Sequence, residues 1–136
     1  MVVRLFPLPL LPLRYFLAVE FLDIVRYGKI AEFQVTKHKL ADMATKLEAA
    51  RLIVYKAAWN FDQGHIDPKL TSIAKLYAAR AAVEITEETI QLLGGYGYML
   101  EYEVERFYRD ARITEIYEGT REIQKNTIAN GLVGKL

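Results

Sequence analysis

The chain has no cysteine, which rules out disulfides and thiolate metal sites. Its two histidines, His38 and His65, have no acidic cluster beside them, so a metal centre is not expected. An excess of charge of one sign is missing as well. Eighteen basic side chains against 17 acidic ones leave a net charge of +1, without the basic footprint of a nucleic-acid-binding protein. Apolar runs are short of the roughly 20 residues that a membrane-spanning helix needs. The longest candidate, Leu5 to Leu13, is interrupted by Pro7, Pro9 and Pro12, and proline breaks helix interiors. Arg4 before that run has the outline of a secretory leader, but no small-residue cleavage site follows, because Arg14-Tyr15-Phe16 comes next. The run is expected to be an extended leader over an apolar surface, and the protein to be cytoplasmic and not membrane-associated. Strand-period alternation, internal repeats and low-complexity linkers are absent too.

What the chain does have is helical period. Hydrophobic residues make up 52% of 136, enough for one domain with a real core. From Gln34 onward, Leu40, Met43, Leu47, Ala50, Val54 and Ala57 recur at alternating threes and fours, which keeps them on one helical face. That helix is expected to stop at Asp62-Gln63-Gly64. Asp67-Pro68 then pairs an N-cap with a first-turn proline. The next helix should carry Leu70, Ile73, Tyr77, Ala81, Ile85 and Leu92 inward and end at Gly94-Gly95. A glycine–aromatic loop over Gly94 to Tyr98, a short helix from Glu101 to Asp110 and a last helix from Thr120 to Gly131 complete the expectation. A further helix is expected from Leu13 to Arg26. The fold is therefore expected to be all-α, an up-down helical bundle over residues 26–136, with residues 1–25 an unassigned leader and first helix. Its alanine-rich faces suggest self-association as a homodimer or homotetramer.

The stretch Ile116-Tyr117-Glu118-Gly119-Thr120 carries the chemistry. A carboxylate between an aromatic and a glycine at a helix mouth is approachable on one side and poorly hydrated on the other, a setting that suits a general base. On the local residues alone, the readier reading of Glu118 is a capping carboxylate, and that of Gly94-Gly95 a plain helix stop.

Three more motifs precede it in order: Ala31-Glu32-Phe33-Gln34 with Lys39-Leu40-Ala41-Asp42-Met43, Gln91-Leu92-Leu93-Gly94-Gly95-Tyr96-Gly97-Tyr98, and Arg109-Asp110-Ala111-Arg112. The fourth motif in full is Glu115-Ile116-Tyr117-Glu118-Gly119-Thr120-Arg121-Glu122-Ile123-Gln124. Together, from about Tyr27 to Leu136, they resemble the C-terminal helical domain of the acyl-CoA dehydrogenases. The resemblance implies an FAD-dependent oxidoreductase of fatty-acid β-oxidation that converts acyl-CoA thioesters to enoyl-CoA. It assigns the catalytic base to Glu118, and FAD contacts to Gln91, Gly95, Thr120 and Gln34. Of these, the glutamine and the Gly-Gly turn are expected to reach the flavin of a neighbouring subunit. Tyr117 and Gly119 fall beside the substrate, and an electron-transfer flavoprotein is the implied redox partner. Arg109-Asp110 is read as a structural ion pair, the tyrosines as packing residues, and Trp59 and the histidines as structural or surface residues. The sequence has Ile24 three residues before Tyr27-Gly28, where the family pattern has arginine before Phe-Gly. It holds no counterpart of the family's other two domains. The second expectation is therefore a non-catalytic helical oligomerisation module derived from the same family.

Overall fold

The computed structural model describes residues 29–134. They are helical, with no strand among the described residues, so the all-α expectation holds. Five α-helices follow one another: α1 (Gln34–Asp62), α2 (Pro68–Leu93), α3 (Gly95–Tyr98), α4 (Val104–Ile113) and α5 (Arg121–Val133). Short 3-10 turns stand at Lys29–Glu32 and Leu100–Tyr102. The expected helix from Leu13 to Arg26 and the Tyr27-Gly28 pair lie outside the described residues. The chain divides into two compact units, Met1–Asp42 and Met43–Leu136. In the first, the described part comprises the 3-10 turn and the first turns of α1, where Gln34 and Val35 are exposed and Thr36 is buried.

The second unit is the bundle. Asp67 caps α2 as its sequence predicts: its Oδ1 accepts from the Leu70 amide at 3.1 Å, and Pro68 occupies the first turn. Lys46 and Glu84 stand equally far from this turn and meet at 2.7 Å, so α1 and α2 run antiparallel. At the other end of the bundle, Gly131 of α5 lies against Lys69, and Gly119, just before α5, is bound by Lys75. Helix α5 therefore runs back toward the start of α2. Helix α2 is the centre, packed by α3, α4 and α5.

That position explains a departure from the predicted stripe. Tyr77, expected inside, is exposed, while Ser72, Ala74, Ala79, Ala81, Ala82, Val83, Ile85, Thr86 and Thr89 are buried. A helix with neighbours on several sides buries more than one face. The two threonines satisfy themselves: the Thr86 hydroxyl donates to the Ala82 carbonyl at 2.8 Å, and that of Thr89 to Ile85 at 2.7 Å. From α1, Met43, Ala50 and Val54 reach the core, with Leu47 and Ala57 half-buried.

The predicted Gly94 to Tyr98 loop is instead the helical turn α3. A side chain at Gly97 would sit 2.8 Å from the Ile90 backbone, so the glycine permits that turn to lie directly on α2. The helix predicted from Glu101 is offset, because Glu103 adopts a left-handed conformation (φ 56°) that separates the 3-10 turn from α4.

Candidate active site

The corner between α4 and α5 is built from the end of α4 upward. The α4 ladder relaxes into tighter turns: the amide of Glu115 donates to Arg112, and those of Ile116 and Tyr117 both donate to Ile113. Glu118 and Gly119 then adopt positive φ, 53° and 93°. A left-handed residue other than glycine costs about 1–2 kcal/mol. Thr120 ends the corner by capping α5, its hydroxyl accepting from the Ile123 amide at 3.5 Å. Glu122 is held below the usual carboxylate range by the hydrogen bond from its own backbone N–H and by one from Thr120. The Thr120 hydroxyl is thus engaged within the chain, and Glu122 brings negative charge to the same helix start.

Two side chains grip the corner by its carbonyls. Lys75 of α2 donates to the Gly119 carbonyl at 2.6 Å, and Gln124 of α5 donates to Glu118 and Gly119 at 3.2 and 3.4 Å. Burial draws the Lys75 ammonium below its ordinary value, and the carboxylates of Glu115 and Glu118 oppose that shift. Beneath the corner, Glu115 is buried, with its side chain 1% exposed. Arg112 hydrogen-bonds its Oε2, while Arg121 and Arg80 approach Oε1 at 3.6 and 3.9 Å without a hydrogen bond. A buried carboxylate is tolerable only with such company.

Glu118 itself is exposed, and no hydrogen bond to its carboxylate is seen among the described residues. The desolvation expected from its neighbours is therefore not supplied by the described residues: Tyr117 is turned outward as well, 41% exposed. Gln91 stands toward the opposite end of α2 from Lys75, about 24 Å along the helix at 1.5 Å per residue, and Gly95 lies just past that end. Gln91 borders an open groove of about 360 Å³ shared with Lys46, Glu84, Glu87 and Glu88. Gln34 belongs to the N-terminal unit. The structure so brings together Tyr117, Glu118, Gly119 and Thr120, and keeps Gln91 and Gly95 apart from them.

The predicted Arg109-Asp110 ion pair is corrected. Arg109 pairs instead with Glu105 one turn earlier, at 2.9 Å, the ordinary geometry of residues four apart on a helix. Tyr96 and Tyr102 pack edge-to-face at 5.1 Å, but Tyr98 is 81% exposed. Trp59, His38 and His65 are exposed. Lys75, Glu115 and Gln124 are the residues of this corner that sequence reasoning did not single out. Glu115 and Gln124 stood within the fourth motif, whereas Lys75, 44 residues from Gly119, left no local signal.

The family model for the acyl-CoA dehydrogenase C-terminal domain matches residues 23–133. Among curated proteins, a 3-(aryl)acrylate reductase of Clostridium sporogenes is 49% identical over 119 residues, 82% of this chain and 32% of that protein. A subunit of the caffeyl-CoA reductase–Etf complex of Acetobacterium woodii is 49% identical over 111 residues, covering 81% of this chain and 29% of the relative. Among solved structures, butyryl-CoA dehydrogenase of Megasphaera elsdenii superposes with a TM-score of 0.78 at 42% identity, over 83% of this chain and 32% of that one. The chain thus spans about a third of the length of the relatives it matches. It belongs to the acyl-CoA dehydrogenase family.

Proposed function

We propose that this chain contributes the C-terminal bundle, residues 26–136, of an FAD-dependent acyl-CoA dehydrogenation in which Glu118 is the base. The observation that carries the reading is the Glu118–Gly119 pair at the entry of α5. Its backbone is bent to positive φ and held by its carbonyls, and the carboxylate projects free of hydrogen bonds from the described residues. A base must have an unoccupied lone pair within reach of the proton it takes. Glu118 would remove the α-proton of the thioester, and Tyr117 and Gly119 would border the acyl chain. FAD supplies the two-electron acceptor for the β-hydrogen. Because Glu118 is exposed here, the water exclusion that makes such a base effective has to come from surfaces beyond the described residues.

The residues present are compatible with FAD in two separate places. A side chain at Gly95 would meet nothing within 4 Å, so neither crowding nor positive φ explains this glycine, and the open backbone admits close approach by a ligand. Gln91, four residues earlier on α2, borders the open groove. Thr120, whose hydroxyl is engaged and whose helix start carries Glu122, suits a neutral ring edge better than a diphosphate. The distance between these places supports one chain serving two flavins across a subunit interface, with Gln34 a further contact. Exposed Leu52, Tyr55 and Trp59 on α1 support the homodimer or homotetramer that this requires. Ala74, Ala79 and Ala81, on the alanine-rich helix from which self-association was expected, are used inside the bundle. The similarity to butyryl-CoA dehydrogenase and to the reductase–Etf subunit supports an acyl-CoA substrate and an electron-transfer flavoprotein as partner. A role in fatty-acid β-oxidation and a cytoplasmic location belong to the same proposal; no described helix is long and apolar enough to cross a membrane. The non-catalytic module has no observation of its own in its favour.

The test is absorbance and turnover. Joined to the remaining domains of a relative, the chain should assemble as a dimer or tetramer by light scattering, take up FAD and reduce an artificial electron acceptor with an acyl-CoA; by itself it is expected to be inactive. Glu118→Gln should lower that rate by about 10²–10⁴-fold, the usual share of a general base. A joined protein that refuses FAD, or a Glu118→Gln variant of it with undiminished turnover, overturns the proposal.

A further inference from the structure

We propose that Lys75 is the positioning residue of the Glu118 turn, an ammonium on α2 that fastens the Gly119 carbonyl and so fixes where the Glu118 carboxylate stands. Two successive positive φ values, one at a residue with a side chain, persist only where the surroundings over-determine them. Gln124 and the Thr120 cap contribute, but both belong to α5 or its entry and would travel with the turn. Lys75 arrives from α2, 44 residues away, and ties the turn to the bundle centre at 2.6 Å.

Three features make this lysine suited to the task. Its hydrogen bond is charge-assisted and partly shielded from water, which strengthens it over a neutral one. Glu115, the nearby buried carboxylate, is already hydrogen-bonded by Arg112 and approached by Arg121 and Arg80. The Lys75 ammonium is therefore not drawn away into that ion pair. It also grips backbone rather than side chain. A direct ion pair would occupy the carboxylate that the reaction needs, whereas a carbonyl clamp orders the residue and leaves its oxygens free.

The importance of the clamp for catalysis rests on the reading of Glu118 as base; the clamp itself does not. It is therefore tested without flavin or substrate. A glutamyl endopeptidase cuts after exposed glutamates, and mass spectrometry reads the Glu118–Gly119 bond against the Glu101–Tyr102 bond as an internal reference. Losing one hydrogen bond to a charged group should open the turn roughly tenfold more often in Lys75→Met, raising cleavage after Glu118 by that factor and leaving the reference bond unchanged. Lys75→Arg, which keeps charge and donors, should restore protection. Unchanged cleavage in Lys75→Met, or equal acceleration at both bonds, overturns the clamp. Should Lys75→Met not fold by circular dichroism, the wild-type chain decides. Its Gly119 carbonyl ¹³C resonance must move as Lys75 loses its proton, and an unmoved resonance overturns the clamp. A chain that passes these tests but whose turnover in the joined protein survives Glu118→Gln would lose the catalytic reading and keep the clamp.

Discussion

The middle of α2 and the corner between α4 and α5 are held by opposite means. Around Ile85, 1% exposed, the helix is enclosed by apolar neighbours, and its buried hydroxyls return to their own backbone. Packing there is redundant: each side chain touches several others, and none is needed for a particular dihedral angle. The corner has almost no apolar burial. It rests on a few directed bonds from Lys75 and Gln124 to two carbonyls and on one buried carboxylate among arginines. Packing supplies stability without specifying a strained shape, and directed polar bonds specify the shape at the expense of stability. A loop that must present a carboxylate has to be of the second kind.

The contrast can be broken first at the packed end. Ile85→Ala should cost about 2–5 kcal/mol by urea denaturation, the range for deleting a large aliphatic side chain from a core. A loss below 1 kcal/mol would mean that α2 is not the centre of the bundle.

A smaller effect is expected at the rim of α2, where Glu84 joins packing to charge. The hydrogen bond from Lys46 holds the Glu84 carboxyl below the usual range, burial opposes this, and Arg80 adds a second hydrogen bond in the same direction. A depressed folded value means that its stabilisation is complete above the unfolded value near 4.5 and is lost as pH falls through the folded one. Thermal unfolding should therefore show a decline below about pH 4.5 that is shallower in Lys46→Met. Identical profiles would remove the pair from the account, as is often true of part-exposed ion pairs.

The smallest effect sharpens the comparison most. Glu118→Gly relieves a left-handed residue, and its gain of about 1–2 kcal/mol is offset by about 0.5–1 kcal/mol of added chain entropy. A net stabilisation of about 0.5 kcal/mol is expected, together with loss of any turnover. Glu103→Gly, at φ 56°, should gain a similar amount without touching the chemistry. Destabilisation by Glu118→Gly alone would show that its side chain holds the corner, against the free carboxylate described here.

The ends of α1 and α2 were legible because caps act locally: Asp67-Pro68 and Asp62-Gln63-Gly64 complete or terminate a helix with residues a few positions away. The helical turn α3 was not, because a run of glycine and tyrosine has poor helix propensity and forms one only where Gly97 lets it rest on Ile90. The candidate base was legible as a motif, and its strained backbone was not.

By itself, the order of short motifs and the helical period of this chain determined an all-α bundle and its family and singled out the carboxylate proposed as the base, since periodicity, capping and motif spacing are properties of neighbours in sequence. Tertiary structure alone decided that α2 is enclosed on several sides and that Tyr77 faces outward. It also decided that Gln91 and Glu118 stand at opposite ends of the bundle, and that Lys75 holds the Gly119 carbonyl. Each of these depends on which distant segments meet. Burial and long-range hydrogen bonds exist only once helices that are far apart in the chain have packed side by side.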